Sequence, residues 1–330
     1  MLTNVQVNVW NIEKISREEP RRFKAIRLDS NNDCNIHCVY CHNRRTKELI
    51  TTDALVNFLN NNVISVNEFQ VGCVMEPTLD PRMCDVLLMI AGSRARPKQS
   101  FQLQTNGILL HQHDYGKMRD AGLTRLSVSI DAADPATNKT LRGGTSLKKV
   151  HSSLLAFREA CPSVEVTFMT TVTSINIHGM EDLVRFGLTV GAQRFVFRQI
   201  FYYENSNIVD HTRMPGLLVT ADAFSHMKDL ITDMFCNQAK LHFLDAPTIV
   251  RVAKKRWKIP VSEIIYAKRR ELGTRHSDAS VLVSPVTPAT FFRVRSRKQL
   301  PFSNTMTPYQ AMTRAIPTES GQAAQETVLS

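Results

Sequence analysis

Three cysteines, Cys34, Cys38 and Cys41, stand in the spacing C-x3-C-x2-C. Thiolates crowded this closely are metal ligands, and their number decides what they can hold. Three can bind three corners of a [4Fe-4S] cube and leave the fourth iron without a protein ligand, open to a small molecule. The alternative is a structural zinc with His37 or His42 as the fourth ligand, although such sites usually pair two short-spaced cysteine elements. No second pair is present, because Cys73, Cys84, Cys161 and Cys236 are scattered. These four are read as core residues, Cys73 on a strand and the others in or near helices, since free Cys is among the most buried residue types. An odd total of seven cysteines suits metal ligation in a reducing compartment better than a disulfide framework, so the cytoplasm is the expected location.

Ligands in a loop need a rigid frame. Short apolar runs near Lys24 to Leu28, Glu68 to Gly72, Phe101 to Gln104, Arg125 to Ile130, Val164 to Thr171 and Arg194 to Gln199 read as strands. Stretches of helical periodicity alternate with them: Thr52 to Asn61, Pro81 to Ser93, Asp114 to Ala121, Ser146 to Ala160, Ile177 to Val190 and Ala221 to Asn237. Gly122 and Gly191 stand where a helix should stop. Repeated βα units imply a parallel sheet, and this order predicts an α/β fold, a partial (β/α)6 TIM-like barrel with a basic C-terminal extension. The cysteines follow the first strand directly, in the kind of loop where a barrel presents its catalytic groups. The expected divisions are an N-terminal segment (1–22), the barrel (23–240), a basic region (241–304) and a flexible tail (305–330).

The triad resembles that of the radical S-adenosylmethionine (radical SAM) superfamily, in which C-x3-C-x-aromatic-C binds a [4Fe-4S] cluster; Tyr40 is the aromatic here. Later segments resemble the superfamily in order and spacing over roughly residues 23 to 200. Glu76-Pro77-Thr78 is similar to a Gly-Gly-Glu-Pro segment that meets the SAM amino group, and Gln104-Thr105-Asn106-Gly107 follows on the third strand. Ser129, Asp131 and the run Leu141-Arg142-Gly143-Gly144 are similar to segments that approach the ribose and carboxylate. Chemistry agrees independently: Glu76 can accept from an ammonium group, and Arg142 can hold a carboxylate by a bidentate fork. The sequence departs from the pattern at Val74 and Met75, which stand where two glycines are expected. That departure bears on how closely backbone approaches the cofactor. Thr170, Thr171, Thr173, Arg198 and Gln199 are read as ordinary strand alternation, with a substrate-facing role as the alternative.

The resemblance implies metal ligands Cys34, Cys38 and Cys41, and SAM contacts at Tyr40, Glu76, Thr105, Asn106, Ser129, Asp131 and Arg142. It implies an enzyme that cleaves SAM reductively at the cluster to a 5′-deoxyadenosyl radical, which abstracts hydrogen from a small-molecule or biosynthetic substrate. A flavodoxin- or ferredoxin-type protein would supply the electron. The alternatives are a peptide or RNA substrate, or, outside catalysis, a zinc-stabilised nucleic-acid binding module. One cysteine beyond Cys161 makes an auxiliary cluster an unsupported expectation. The net charge of +11 sits almost wholly in Arg251 to Lys298, where 13 Lys or Arg meet three acids. That stretch suits an anionic small substrate, an acidic electron donor or, as a minority reading, nucleic acid. No apolar run long enough to cross a membrane is visible.

Overall fold

The computed structural model describes residues 2–41, 43, 45–203, 210 and 212–246, with the backbone alone at Tyr202–Tyr203 and Ile264–Ile265. Apart from that last pair, the basic stretch Arg251–Lys298, the tail Thr305–Ser330 and His42 lie outside the described residues.

Eight strands form one sheet in which every neighbouring pair is parallel. They are β1 (Thr3–Val7), β2 (Arg21–Leu28), β3 (Val63–Val71), β4 (Pro97–Thr105), β5 (Arg125–Ser129), β6 (Glu165–Val172), β7 (Arg194–Gln199) and β9 (Lys240–Leu244). Their spatial order follows the chain, and β1 and β9 are not paired with each other, so the sheet stays open as a partial TIM-like barrel. The six strands read from the sequence are present. Two were missed, β1 and β9, which extend the sheet at both edges. A separate antiparallel pair joins β8 (Tyr202–Tyr203) to β10 (Ile264–Ile265).

Helices cover the connections: α1 (Ile12–Ser16), α2 (Thr52–Asn57), α3 (Met83–Gly92), α4 (Tyr115–Asp120), α5 (Pro135–Arg142), α6 (Leu147–Ala160), α7 (Met180–Thr189), α8 (Met214–Leu217) and α9 (Ala221–Phe235). Five of these helices start on a side-chain cap. Thr51, Asp114, Asp134, Ser146 and Thr220 each accept from a backbone N–H of the first turn. Gly122 and Gly191 take φ of +79° and +73° at helix ends, as the sequence predicts. In α7, Gly187 lets the helix lie against β7, because a Cβ there would come within 2.4 Å of the Phe195 ring. Among the described residues no helix is long and apolar enough to cross a membrane.

Side chains alternate between two faces of a strand, and here the faces differ in kind. On β7, Phe195 and Phe197 are buried on the helix-covered face, while Arg194, Val196 and Arg198 are half-buried on the other. In-register neighbours share a face, so the row Gln6, Arg27, Gln70 and Gln102 and the row Gln104, Ser127, Thr167 and Arg194, two residues further along β4, continue the second face across the sheet. Gln70 donates to Gln104 at 3.0 Å and Gln102 to Ser127 at 3.0 Å along it. The inner face is therefore polar.

At the N-terminal ends of the strands one carboxylate gathers three cations. Glu165 accepts from Arg125 at 2.8 Å, Arg194 at 2.7 Å and Lys240 at 2.8 Å, which begin β5, β7 and β9. Burial pushes the Glu165 carboxyl up, but the hydrogen bonds from these cations outweigh it and hold it at about 2. A depressed folded-state value means stability that is present above the unfolded value of 4.5 and lost as pH falls toward about 2. Glu165→Gln should therefore cost about 2 kcal/mol at pH 7 and nearly nothing near pH 2, measured by urea denaturation at both pH values.

Candidate active site

At the opposite, C-terminal ends of the strands, the loops meet around one cavity. Cys34, Cys38 and Cys41 line it together with Glu76, Thr105, Asn106, Ser129 and Arg142. The three thiols are free and half-buried. Burial pushes the Cys38 thiol up to about 11 and raises Cys34 as well. Among the described residues no three His, Cys, Asp or Glu side chains converge tightly enough for a single ion. A cube takes its ligands at separate corners.

The cysteine loop is held from two sides. His37 N–H donates to the Gly143 carbonyl at 3.0 Å, and Val39 N–H to the Leu141 carbonyl at 2.9 Å. Gly143 has φ of +24°, and a Cβ on it would meet the His37 carbonyl oxygen at 2.7 Å, so only glycine lets the two segments lie this close. From the other side the Arg45 guanidinium donates to the Cys34 carbonyl at 2.9 Å and to the Ile36 carbonyl. Arg45 was not singled out from the sequence, where it is one basic residue among several.

Glu76 is 2% exposed. Its Oε1 accepts from Thr78 N–H at 3.2 Å, the Thr78 hydroxyl at 2.6 Å and the Thr105 hydroxyl at 2.5 Å. Among the described residues its Oε2 accepts only from the Asn106 N–H, at 2.6 Å. A carboxylate has about four lone-pair directions, so the remaining acceptor capacity lies on Oε2. Burial pushes this carboxyl up, against the hydrogen bonds from Thr105, Thr78 and Asn106.

Arg142 is buried, and its Nη1 donates to the Tyr40 hydroxyl at 3.1 Å and to Asp131 Oδ2 at 3.3 Å. Burial pulls the guanidinium down, yet Tyr40 and Asp131 outweigh it and keep it charged. Among the described residues its Nε has no hydrogen-bond partner. A buried donor without an acceptor is costly, and this one belongs to a side chain that lines the cavity.

Two of the sequence-predicted contacts do not line that cavity. Asp131 is fully buried and accepts from the Tyr40 hydroxyl, from Arg142 and, at 2.9 Å, from the Thr171 N–H. Tyr40 and Asp131 support Arg142 from behind. Conversely, Cys73, read as a core residue on a strand, lies in the loop after β3 and lines the cavity. Cys84 and Cys161 are buried as expected, whereas Cys236 is exposed. Thr170, Thr173 and Gln199 are buried, and Arg198 is half-buried on the inner face.

A family profile described as the Radical SAM superfamily matches residues 30–187. Among curated proteins, a "Probable GTP 3′,8-cyclase" of Methanococcus maripaludis is 27% identical over 165 residues, covering 47% of this chain and 53% of that protein. One of the same description from Methanocaldococcus jannaschii is 27% identical over 229 residues, with coverage of 64% and 74%. The chain thus spans just over half the length of the first curated relatives it matches. Streptococcus suis SuiB, bound to its precursor peptide SuiA, superposes with a TM-score of 0.53 at 16% identity, covering 79% of this chain and 59% of that one. That likeness is one of fold.

Gly143→Ala is expected to push the cysteine loop off its support. It should lower stability by about 1–3 kcal/mol and speed the labelling of Cys34, Cys38 and Cys41 by a thiol reagent; unchanged labelling would show that the loop holds without this contact.

Proposed function

The chain belongs to the radical SAM superfamily through the domain formed by residues 30–187, and on that premise we propose an enzyme that holds a [4Fe-4S] cluster on Cys34, Cys38 and Cys41. SAM would bind in the adjoining cavity, and hydrogen would be taken from a small-molecule or biosynthetic substrate. The observation that carries this reading is the cavity lining: three free thiols beside a buried carboxylate and a guanidinium with an orphan N–H.

The donor set fits both groups. Three soft thiolates suit an iron-sulfur cluster. A bound zwitterion would be held by Glu76 at its ammonium and by Arg142 at its carboxylate. When bound, the two cofactors supply one-electron reductive cleavage of a sulfonium and hydrogen-atom abstraction. The chain's own residues bind and orient. Arg45 and the 141–143 segment keep the three thiols facing one cavity, Thr78, Thr105 and Asn106 aim the Glu76 carboxylate, and Asp131 with Tyr40 holds Arg142. The reductant belongs to the flavodoxin or ferredoxin class, and a reducing compartment such as the cytoplasm suits a site built on free thiols.

An anionic substrate is favoured by two arginines on the inner face. Arg27 precedes the last residue of β2 and Arg198 the last residue of β7, so both stand at the C-terminal, cavity end. Neither has a hydrogen-bonded or ion-paired partner among the described residues. Burial lowers Arg198 from its usual range, and the Arg27 charge adds to this, which places the two guanidiniums within electrostatic reach. Two unpaired cations on a partly desolvated face call for an anion. The relatives named as GTP cyclases act on a polyanion by that name, and the class of charge is what carries over.

Anaerobic reconstitution followed by SAM and dithionite should yield a brown protein with about four irons per chain and produce 5′-deoxyadenosine. Cys34→Ala/Cys38→Ala/Cys41→Ala should lose both while retaining a cooperative melt; a variant that keeps its cluster would overturn the ligand assignment. Pyrophosphate, as a probe of the anion seat, should bind at least about tenfold more weakly to Arg27→Gln/Arg198→Gln by calorimetry, and equal affinity would remove the anionic-substrate reading.

A further inference from the structure

Val74 and Met75 stand where glycines are expected, and the hydrogen bonding of their loop shows what replaces them. Five consecutive amides, from Gly72 to Glu76, all donate to the short segment between the end of β2 and Cys34. Gly72 N–H reaches the Leu28 carbonyl at 2.8 Å, and Glu76 N–H reaches the Asp33 carbonyl at 2.9 Å. Between them the N–H groups of Cys73, Val74 and Met75 converge on a single oxygen, Asp29 Oδ1, at 2.8, 3.0 and 3.2 Å. The other oxygen accepts from Gln6 at 3.1 Å, and the residue is 3% exposed. Asn31 completes the join by donating to the Glu76 carbonyl at 2.9 Å.

Successive backbone N–H groups turned toward one point form an anion-binding concavity. Here the anion is a side chain of the same protein. Charge-assisted bonds to a carboxylate are about twice as strong as neutral ones, and three on one buried oxygen fix the loop whatever side chains positions 74 and 75 carry. Glycine is required only at Gly72, which has φ of +74° and where a Cβ would meet the Gln104 carbonyl oxygen at 2.3 Å.

We infer that Asp29 is a positioning residue for Glu76: its carboxylate folds the 73–75 loop so that Glu76 Oε2 faces the cavity, a role that rests on the proposed contact between Glu76 and SAM. Asp29 touches no cofactor. It acts by holding the backbone from which Glu76 projects, in a chain that lacks the glycines at 74 and 75.

Asp29→Asn tests this with the least disturbance, since it keeps the acceptor oxygen and removes the charge. On the reconstituted holoenzyme, SAM affinity by equilibrium dialysis should fall about tenfold, with iron content and the melting transition retained. Hydrogen exchange of the amides of residues 73–75 in the apoprotein should speed up while that of β3 stays protected. Gln6→Ala, which frees only Oδ2, should shift both readouts the same way by about twofold and gives the answer even if Asp29→Asn folds poorly. In a Glu76→Gln background Asp29→Asn should add less than about twofold, because residues that act through one another are not additive. Independent, multiplying effects would show a merely structural role and overturn the inference, as would loop exchange unchanged in both variants. If Glu76→Gln alone leaves SAM affinity intact, the Glu76 contact itself is wrong, and the role of Asp29 falls with it; Glu76→Gln weakening SAM while Asp29→Asn does not would overturn only the inference.

Discussion

Backbone groups that leave a parallel ladder at the C-terminal ends of its strands must find other partners, and in this protein buried carboxylates provide them. The arrangement repeats around the sheet. Asp29, just after β2, accepts from the loop after β3; Glu76, after β3, accepts from Thr105 and Asn106 at the end of β4; Asp131, after β5, accepts from Thr171 on β6. Each acid ties its own strand end to the next one along. Because each is nearly or fully buried and paired with donors, removing a donor would leave a desolvated carboxylate, a cost large enough to keep every loop in place.

The cavity inherits its rigidity from these ties. Glu76 is at once a member of the chain of acids and a lining residue, with one acceptor direction left over. Arg142 stands in the same relation to Asp131, spending Nη1 on the support and leaving Nε free. Support and site are thus built from different atoms of the same side chains. The cysteine loop joins this frame through the carbonyls of Leu141 and Gly143 and through Arg45.

The two faces of the sheet divide the work. The helix-covered face carries the large aromatic side chains, with Phe168, Phe195 and Phe197 fully buried, and supplies the apolar stabilisation. The inner face carries glutamines, serines, threonines and arginines in register. At its N-terminal end the cations share Glu165, and at its C-terminal end, among the described residues, Arg27 and Arg198 have no such partner. Two cations without a carboxylate partner therefore stand at the end of the barrel beside the cysteines.

Local pattern decided much of this in advance. Six strands and the principal helices were legible because apolar periodicity, capping residues and helix-stopping glycines are properties of neighbours along the chain, and the triad was legible because its three cysteines lie within one loop. The edge strands β1 and β9 were not, since five-residue runs such as Thr3–Val7 and Lys240–Leu244 are weakly patterned and become strands through a partner already in place. The cavity lining by Cys73, the support of Arg142 by Tyr40 and Asp131, and the seat of three amides on Asp29 escaped for a related reason. Asp29 lies 44 to 46 residues from the amides it binds, a separation that has no periodicity to read. The sequence by itself determined which chemistry the chain can hold, because ligand type and spacing are local. Only the tertiary structure decided which side chains face the cavity and which stand behind it, because that depends on strand register, and register is a property of the whole set of strand pairings rather than of any one segment.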